Sequence, residues 1–510
     1  MPNVDFPPLR DWFVLSGFTA LIAALLFGTE KWRQQQRLRT GHSRKLVHFL
    51  TGLLMLASPF LFESHLPLLF ISLLFILVNV LALRFGLFPA IQIATRKSWG
   101  TVFYPIAFFL LIAWFWKRDR LALMVGMSLL AIADVCAALA GERAAQPKIL
   151  PLPGDRKSLQ GALAMFVSSF CLILGSILFF GPAQGFAPVW TVLVLIAIAL
   201  ALLATVAEAL SWRGSDNLSV ALVGAAAMHF FVQASPVALQ QFLLGEALAL
   251  LVATVSYSVR FLDAGGACGT FMLGTLIFGL GGWPFSLPIL AFFILSSLLS
   301  RLGASRKKSV QENFQKGHRR DLGQVLANGG IPGLMVLLWH VIPLPFFYLL
   351  YLGAVAAVTA DTWATEIGLF SQKLPRLIMT WKTVSRGVSG AISSLGMLGA
   401  FSGALCLALI GWAVQWDNPV YALGIRGVIL ITLAGVLASL CDSLLGATIQ
   451  ARQICTVCHQ VSEKKGICCG VERRHSAGWR WVDNDVVNGL CGLSGGLVVL
   501  LFSGFFSTAK

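Results

Sequence analysis

The chain has 510 residues, of which 57% are hydrophobic and only 12% are charged, and its mean hydropathy is +0.80. Soluble globular proteins are about 45–50% apolar and about 25% charged, so this composition excludes a soluble domain and indicates a protein of the lipid bilayer. The formal net charge of +16 would suit a nucleic-acid binder. Lys and Arg also collect in the cytoplasmic loops of membrane proteins, however, and we therefore expect no nucleic-acid partner.

Hydropathy predicts an all-α, polytopic integral membrane protein with about 16 candidate transmembrane helices in two helical domains. In chain order, the candidate spans are 12–28, 46–62, 67–84, 100–116, 121–141, 160–180, 188–210, 217–232, 237–258, 267–281, 286–300, 325–341, 346–369, 389–414, 425–450 and 485–506.

Loop charges predict the orientation of the chain. Loop 31–45 carries six Lys or Arg residues and loop 301–320 carries seven, whereas the alternate loops near 181–187 and 282–286 carry none. The basic loops are therefore expected in the cytoplasm. The basic turn 117–120 falls on the other side, so either a segment is miscounted there or this hairpin is re-entrant. We expect no cleavable signal peptide, a bacterial plasma (inner) membrane location, and functional sites that face the cytoplasm.

The first half carries four polar clusters at the cytoplasmic ends of its predicted spans. Asp134 is the most informative residue, because a carboxylate within a span costs about 2.5–3.5 kcal/mol and by default suggests a functional site. Lys and Arg beside a span are explained equally well as anchors to lipid headgroups. Carboxylates that hold Mg²⁺ and lysines that meet phosphates would together form a nucleotide site. The candidates are Arg44, Lys45 and His48 in "RKLVHF", Asp134 in "AIADVCAALAGE", Lys157 and Ser158 in "GDRKSLQGALAMF", and Glu208, Asp216 and Asn217 in "VAEALSWRGSDNLSVAL".

Four segments of this half, "RKLVH", "ADVCAALAGE", "KSLQG" and "SDNLSVAL", resemble the CTP-dependent lipid-alcohol kinases of the phytol kinase and dolichol kinase group, over roughly residues 40–230. The resemblance implies CTP as the phosphoryl donor and a prenol as the acceptor, with Asp134 and Lys157 in the site. Two motifs depart from the family pattern. Gln160 stands where the family usually has an acid, and the second motif begins with "ADV" where the family usually has "GDA".

The second half repeats the theme of acids at the ends of apolar helices. Asp361 and Thr365 are four residues apart and therefore share one helical face. Carboxylates from several helices, together with an Arg- and Gly-containing loop, can bind Mg²⁺ and a polyphosphate. Helix capping explains the acids at 483–485 equally well, but it does not explain an Asn one turn further on. The candidates are Asn328 in "GQVLANGG", Asp361 and Glu366 in "TADTWATEIG", Lys382 and Arg386 in "KTVSRGVSGAISSLG", Asp442 in "SLCDSLLGATIQ", and Asp485 and Asn488 in "WVDNDVVNG".

The segments "ADTWATEIG", "SGAISSLG", "CDSLLGATIQ" and "WVDNDVVN" resemble the phytyl-phosphate kinase family of membrane proteins, over about residues 245–506. The resemblance implies transfer of a second phosphoryl group from a nucleoside triphosphate to a prenyl phosphate. The sequence therefore predicts a phytol/dolichol kinase-like domain at 1–240 and a phytyl-phosphate kinase-like domain at 241–510. Together they would convert a prenol to its monophosphate and then to prenyl diphosphate.

Two other functions fit the same pattern of residues. A membrane cytidylyltransferase would make a CDP-lipid instead of a phosphate ester. A secondary transporter also combines many spans with intramembrane acids and Gly-interrupted helices. Transport acids lie near the bilayer midplane, however, whereas the acids of this chain are predicted at the cytoplasmic ends of spans.

The loop "CTVCHQVSEKKGICCGVERRH" (455–475) predicts a structural Zn²⁺ site. Structural zinc takes four Cys or His ligands. Cys455 and Cys458 form a C-x₂-C pair, Cys468 or Cys469 follows, and we take Cys469 and His475 as the second pair. The spacing between the pairs is short, so free cytoplasmic thiols explain the loop equally well.

Overall fold

The computed structural model describes residues 6–35, 40–85, 98–302, 319–415, 423–459, 461–463 and 466–507. Nearly all of the regular structure in these ranges is helical, and the few strands are two to four residues long. Within the same ranges, twelve helices are long and apolar enough to cross a membrane. The expectation of an all-α, polytopic membrane protein is therefore confirmed.

Contacts between Cα atoms divide the chain into two compact units, residues 1–239 and 240–510. The most buried span of the first unit is Arg120–Arg143, in which 78% of the most apolar 18-residue stretch is buried inside the protein. A π-helical turn, Leu129–Ala133, interrupts this span, and a short 3₁₀ turn, Pro182–Gln184, lies between two later helices. The helices of the first unit are α1 (Leu9–Gln34), α2 (Thr40–Leu61), α3 (Leu66–Phe85), α4 (Gly100–Phe115), α5 (Arg120–Ser128), α6 (Asp134–Arg143), α7 (Leu159–Phe180), α8 (Trp190–Ala209) and α9 (Asp216–Gln233).

The second unit contains the remaining helices, the first of which begins just before residue 240. They are α10 (Pro236–Ser258), α11 (Ala264–Leu302), α12 (Leu322–Val341), α13 (Pro345–Gly368), α14 (Ser394–Ala413), α15 (Ile425–Thr448) and α16 (Asn484–Ser507). Helix α13 is central, because it packs against α12, α14, α15 and α16. Its glycines and alanines permit this close approach: a Cβ added at Gly353 would lie 2.8 Å from the Gly495 carbonyl oxygen. Small residues are the usual means by which membrane helices approach one another.

Helix α11 is a helical hairpin. Its backbone leaves the helical region at Gly282, where φ is 65° and ψ is −160°. Gly266 in the first leg approaches the carbonyl oxygen of Arg320, and the Arg320 guanidinium lies 5.4 Å from the Phe292 ring in the second leg. In one straight helix Gly266 and Phe292 would be about 39 Å apart. Both lie close to Arg320, so the two legs must fold back on each other at Gly282. The predicted spans 267–281 and 286–300 are these two legs.

One predicted span begins too early. The sequence places a helix over 389–414, but α14 begins at Ser394. Gly387 and Gly390 have φ values of 82° and 79°, which a right-handed helix cannot contain. Ser393 then caps the helix by accepting a hydrogen bond from the Gly396 N–H at 3.1 Å. Residues 387–393 consequently form a loop that is free to line a cavity.

The strands are confined to two loops of the second unit. β1 (Arg376–Leu377) pairs with β2 (Ala391–Ile392) in the loop before α14. The loop between α15 and α16 contains a three-stranded sheet in the order β4-β3-β7 and a separate hairpin of β5 and β6. These strands are β3 (Arg452–Ile454), β4 (Val461–Ser462), β5 (Ile467–Cys468), β6 (Val471–Glu472) and β7 (Arg474–Ala477).

Candidate functional sites

In the first unit, four separate elements bring acids and one lysine together. Asp134 is the first residue of α6, Glu208 lies at the end of α8, Asp216 opens α9, and Lys157 comes from the loop before α7. One carboxylate oxygen from each of the three acids lies within 4.8 Å of the others. The predicted acids of this half therefore meet at one point, with Glu208 and Asp216 at helix ends and Asp134 inside the span Arg120–Arg143.

Lys157 is paired with two of these acids. Its Nζ contacts Glu208 and lies 3.1 Å from Asp216 Oδ2. Burial alone would lower the pKa of Lys157, but the carboxylates of Asp216 and Glu208 outweigh it, and the pKa ends above its usual value. The ammonium group is therefore charged at neutral pH. It lies between the acids and balances their charge, as a bound metal ion would.

The three acids form a donor set that suits a divalent cation. Carboxylate oxygens are the protein ligands that Mg²⁺ prefers, usually together with phosphate oxygens of the substrate. Lys157 is close enough to meet those phosphates. The three acids can thus pair with Lys157 alone, or bind a metal ion and its phosphate ligand beside Lys157.

The basic cluster of α2 lies beside Asp134. His48 Nε2 lies 3.8 Å from Asp134 Oδ2 and 2.8 Å from the Leu130 carbonyl oxygen, which belongs to the π-helical turn. Lys45 forms an ion pair with Glu142. Arg44 lies close to Gly100, because a Cβ added at Gly100 would be 3.0 Å from Arg44 Nη2. Turns of π-helix occur frequently at functional sites, and this one carries the carbonyl that His48 contacts.

Three polar side chains of this unit have structural roles. Ser158 caps α7, because its Oγ accepts a hydrogen bond from the Gly161 N–H at 3.2 Å. The Asn217 amide donates to the Gly100 carbonyl oxygen at 3.0 Å. Gln160 accepts a hydrogen bond from Lys148 N–H and donates one to the Gln146 carbonyl oxygen, so it fixes the loop before α7. An ionised acid at this position could not make the second bond.

In the second unit, most of the predicted residues line one polar cavity of about 320 Å³. Asp361 and Thr365 both line it, as expected for residues on one face of a helix. The predicted residues that line the cavity are Asn328, Asp361, Glu366, Arg386, Asp442 and Asn488, and they are joined by Ser300, Arg320, Gln324, Ser389, Glu463 and Asn484.

The acids of this cavity crowd together. The carboxyl groups of Asp361 and Asp442 lie beside each other in the cavity wall, and two neighbouring carboxylates repel each other unless a proton or a cation lies between them. Asp442 Oδ1 is buried and has no hydrogen-bond partner in the part of the chain that the structure describes. A buried oxygen without a partner is costly, and a bound cation would satisfy it. These carboxylates therefore fit a divalent cation, with Mg²⁺ favoured by their oxygen donors.

Glu463 is a cavity acid that the sequence reasoning missed. It comes from the loop between α15 and α16, in the sequence "SEKKG", where an acid beside two lysines is typical of ordinary surface charge. Burial raises the pKa of Glu463 to about 7, although Ser389 and Arg452 nearby lower it in part. A cation bound beside Asp442 would favour the ionised form.

Two arginines give the cavity positive charge. Arg386 donates from Nη2 to the Ser371 carbonyl oxygen at 2.6 Å, so this bond holds its side chain at the cavity wall. Arg320 lies in the loop before α12 and faces Glu366, which in turn accepts a hydrogen bond from Ser300 Oγ at 2.6 Å. Burial lowers the pKa of Arg320 to about 10, with Glu366 opposing the shift, so the guanidinium remains charged. Sequence reasoning counted Arg320 only among the topogenic charges of its loop.

Two predicted residues lie outside the lining of this cavity. Lys382 is exposed, on the turn between β1 and β2. Asp485 is replaced in the lining by its neighbour Asn484. Asp483 caps α16, because its Oδ1 accepts hydrogen bonds from the N–H groups of Asp485 and Val486, both at 3.1 Å. The capping interpretation of this acidic segment therefore holds for Asp483.

The cysteine loop gathers four thiols: the sulfurs of Cys455, Cys458, Cys468 and Cys469 lie within 4.8 Å of one another. The sulfurs of Cys458 and Cys468 are 3.7 Å apart, and those of Cys468 and Cys469 are 3.9 Å apart. Ligands at about 2.3 Å on a tetrahedron around zinc would be about 3.8 Å apart. Hydrogen bonds from the N–H groups of Cys458 and Val457 lower the pKa of Cys455 to about 6, whereas the neighbouring thiols of Cys458 and Cys468 raise the pKa of Cys469 to about 12. Without a metal ion, the crowded sulfurs therefore favour a single thiolate among them.

The structure does not bring His475, the predicted fourth zinc ligand, to the group of thiols. His475 pairs with Gln453 in the sheet of β3 and β7 and is not a member of the thiol group. Cys468 takes its place beside Cys469. Adjacent residues in a strand point to opposite faces, but Cys469 has a left-handed φ of 51°, so both thiols can approach one group.

The fold and its sites define a multi-pass integral membrane protein with acid-rich polar sites near the ends of its apolar helices. It belongs to the integral membrane protein family DUF92, whose family model matches residues 247–496.

It is 34% identical to an uncharacterized membrane protein of Methanocaldococcus jannaschii, over 38% of this chain and 77% of that protein. It is 31% identical to "Protein PGR" of Arabidopsis thaliana, over 42% of this chain and 81% of that protein. A third relative, named "Phytol kinase", from a Synechocystis species, is 32% identical over 28% of this chain and 60% of that protein. No solved structure matches the chain.

Proposed function

We propose that this protein is a membrane phosphotransferase for isoprenoid alcohols, with one active site in each unit. The first unit transfers a phosphoryl group from CTP to a prenol, and the second transfers one from a nucleoside triphosphate to the resulting prenyl phosphate. A relative named phytol kinase supports the class of reaction. The observation that carries the proposal is the pair of carboxyl groups, Asp361 and Asp442, in a cavity that also contains Arg320 and Arg386.

In the first unit, the prenol oxygen attacks the γ-phosphorus of CTP, and the bond from that phosphorus to the β–γ bridging oxygen breaks. CDP leaves, and the hydroxyl proton passes to a nearby base. Asp134 and Glu208 are the carboxylates available for that proton, while Lys157 meets the transferred phosphoryl group. Phosphoryl transfer depends mainly on positioning and on cations around the phosphates, which Lys157 and a Mg²⁺ ion held by the three acids would supply.

In the second unit, a phosphate oxygen of the prenyl phosphate is the nucleophile. It is already anionic, so this step needs no general base. The obstacle is repulsion between the anionic acceptor and the anionic donor. Arg386 and Arg320 offset that repulsion directly, and Asp361, Asp442 and Glu463 would hold a Mg²⁺ ion, whose charge would offset it further. The acceptor phosphate oxygen gains the γ-phosphoryl group, and the nucleoside diphosphate leaves.

The position of the acids favours an enzyme over a transporter. Asp361 and Asp442 lie in the last third of α13 and α15, and Glu208 and Asp216 lie within two residues of helix ends. Asp134 meets Glu208 and Asp216 from the second half of the span Arg120–Arg143. Such places suit a reaction in which a lipid headgroup emerges from the bilayer and a nucleotide arrives from water. We propose that these ends face the cytoplasm, where nucleotides are found.

Product analysis tests the proposal. Membranes that contain the protein are incubated with radiolabelled prenols, CTP and Mg²⁺, and the lipid products are separated by charge. We expect prenyl monophosphate first and prenyl diphosphate later, with CDP released in the first step. Release of pyrophosphate together with a CDP-lipid would instead identify a cytidylyltransferase. If neither product forms with any prenol, the proposal is rejected.

A further inference from the structure

A second cavity of the second unit, of about 270 Å³, is almost entirely apolar. It lies among α10, both legs of the α11 hairpin and the start of α12. Its wall includes Val252, Leu273, Ile277, Phe278, Ile289 and Phe293. The lining on the second leg extends from Phe293 back to Trp283, which is about 15 Å along a helix. The cavity is therefore deep enough for an extended hydrocarbon chain.

This apolar cavity and the polar cavity share part of their walls. Arg320, Gln324 and Asn328 line both of them. The Arg320 guanidinium lies over the Phe292 and Phe293 rings, at 5.4 and 5.6 Å, so its charge is held where the apolar wall ends. Gln324 is fixed by the capping box at the start of α12, through hydrogen bonds with Asp321. An amphipathic molecule that occupied both spaces would have its headgroup at these three residues.

The α11 hairpin builds this cavity. Both of its legs contribute wall residues, and the kink at Gly282 lies at the end away from Arg320. Gln241 of α10 stabilises that end by donating a hydrogen bond to the Gly279 carbonyl oxygen at 3.1 Å. Phe278 and Trp283 meet there, with ring centroids 4.7 Å apart. These two rings form the cavity wall at that end, so they would limit the length of chain that fits.

We propose that the apolar cavity binds the hydrocarbon chain of a prenyl phosphate, with its phosphate at Arg320 and its reacting oxygen in the polar cavity. This inference rests on the function proposed for the second unit, and it adds where the acceptor lies and which residues measure its chain. Arg320 supplies the charge complementary to the phosphate, and Gln324 and Asn328 supply amide donors. The apolar wall shields the hydrocarbon chain of the prenyl phosphate from water, and the hydrocarbon chain stays among the membrane-spanning helices.

The matched pair Val252→Trp and Val255→Trp tests the cavity. Both valines belong to α10, but Val252 lines the cavity, whereas Val255 is 49% exposed on the helix surface. Binding of radiolabelled farnesyl phosphate to the purified full-length protein in nanodiscs is measured without nucleotide. We expect Val252→Trp to weaken binding about tenfold or more, because the indole takes the place of buried methylene groups. Val255→Trp should bind as the unsubstituted protein does.

A headgroup variant separates the two ends of the site. Arg320→Gln should weaken binding of farnesyl phosphate while leaving binding of farnesol nearly unchanged. Should Val252→Trp fail to fold, photo-cross-linking of the unsubstituted protein with a diazirine-bearing farnesyl phosphate replaces it. The cross-links should then fall in peptides of α10, α11 and the start of α12.

Equal binding by Val252→Trp and Val255→Trp, or cross-links confined to other helices, would overturn the cavity assignment. Absence of farnesyl phosphate binding by the unsubstituted protein would do the same. The proposed reaction is judged separately. If farnesyl phosphate binds in this cavity but never receives a phosphoryl group, the function of the second unit is wrong and the binding site stands.

Discussion

The pair of carboxyl groups at Asp361 and Asp442 favours a cation site in the second unit. Two carboxylates this close repel each other unless a proton or a metal ion lies between them. Asp442 also leaves one buried oxygen without a partner among the residues that the structure describes. A bound cation at the wall of this polar cavity would satisfy that oxygen.

Single amide substitutions separate the two proposed reactions. We expect Asp361→Asn to lower formation of the diphosphate on the order of a hundredfold or more, the scale of losing one preorganised electrostatic group. Monophosphate should continue to form and accumulate. Asp134→Asn, its counterpart in the first unit, should abolish monophosphate formation but still convert supplied prenyl phosphate. The measurement is radiochromatography of mono- and diphosphates.

Both variants replace a carboxylate by an amide of the same shape, so each serves as the folding control for the other. If each single variant lost both reactions, the two sites would not be independent. If Asp134→Asn retained full activity from prenol, the acid cluster around Lys157 would not be the first active site.

At the residue scale, sequence reasoning located acids but could not assign them partners. Ser158 shows the reason, since a serine between a lysine and a helix suits a phosphate contact and a helix cap equally well. The structure makes it the cap of α7. Glu463 shows the converse, because an acid in a charged loop carries no local sign that the chain will bury it beside Asp442.

At the scale of elements, the loop between α15 and α16 combines two features. Its sheet delivers Glu463 to the polar cavity, and its hairpin brings Cys468 and Cys469 to the C-x₂-C turn. The strands are only two to four residues long, and a two-stranded hairpin of this size is marginal in water. A metal ion bound by the four thiols would hold the loop, and with it Glu463, in place.

We therefore predict that this loop binds structural zinc. The purified protein should contain about one zinc ion per chain, because four thiolates complete a closed tetrahedral site. Cys455→Ser should lose the metal, as measured by elemental analysis. It should also lower diphosphate formation more than monophosphate formation, because the loop carries Glu463.

Cys171→Ser is the matched control, since Cys171 is an exposed free thiol on α7 of the first unit. It should keep both the zinc and the two activities. Purified protein free of zinc, with all four thiols reactive towards alkylating reagents, would show that these cysteines are free.

At the scale of the whole molecule, a chain with two sites has a chemical rationale. The prenyl monophosphate is the product of the first unit and the acceptor of the second. Its hydrocarbon tail keeps it in the bilayer, so it need not cross water between the two reactions. No contact between the sites is required for this sequence of reactions.

Complementation in a shared membrane tests the order of the reactions. Vesicles that contain only Asp134→Asn chains or only Asp361→Asn chains should make no diphosphate from prenol. Vesicles that contain both variants should make it, because monophosphate can diffuse in the membrane from one chain to the other. The yield of diphosphate over time is the measurement. Failure of the mixed vesicles, with each variant active in its own reaction, would show that the intermediate must pass within one chain.

The membrane class, the positions of nearly all helices and the presence of acids within or beside apolar helices could all be predicted from the sequence. These properties follow from local hydropathy and from the high cost of placing a carboxylate in hydrocarbon, and both can be read along the chain. Which of these residues meet could be seen only in the folded chain. Asp361 lies beside Asp442, Cys468 rather than His475 lies in the thiol group, and α11 folds back at Gly282 and lines an apolar cavity beside Arg320. Contacts of this kind join residues far apart in sequence, and a single left-handed residue such as Gly282 or Cys469 redirects the chain without any change in hydropathy.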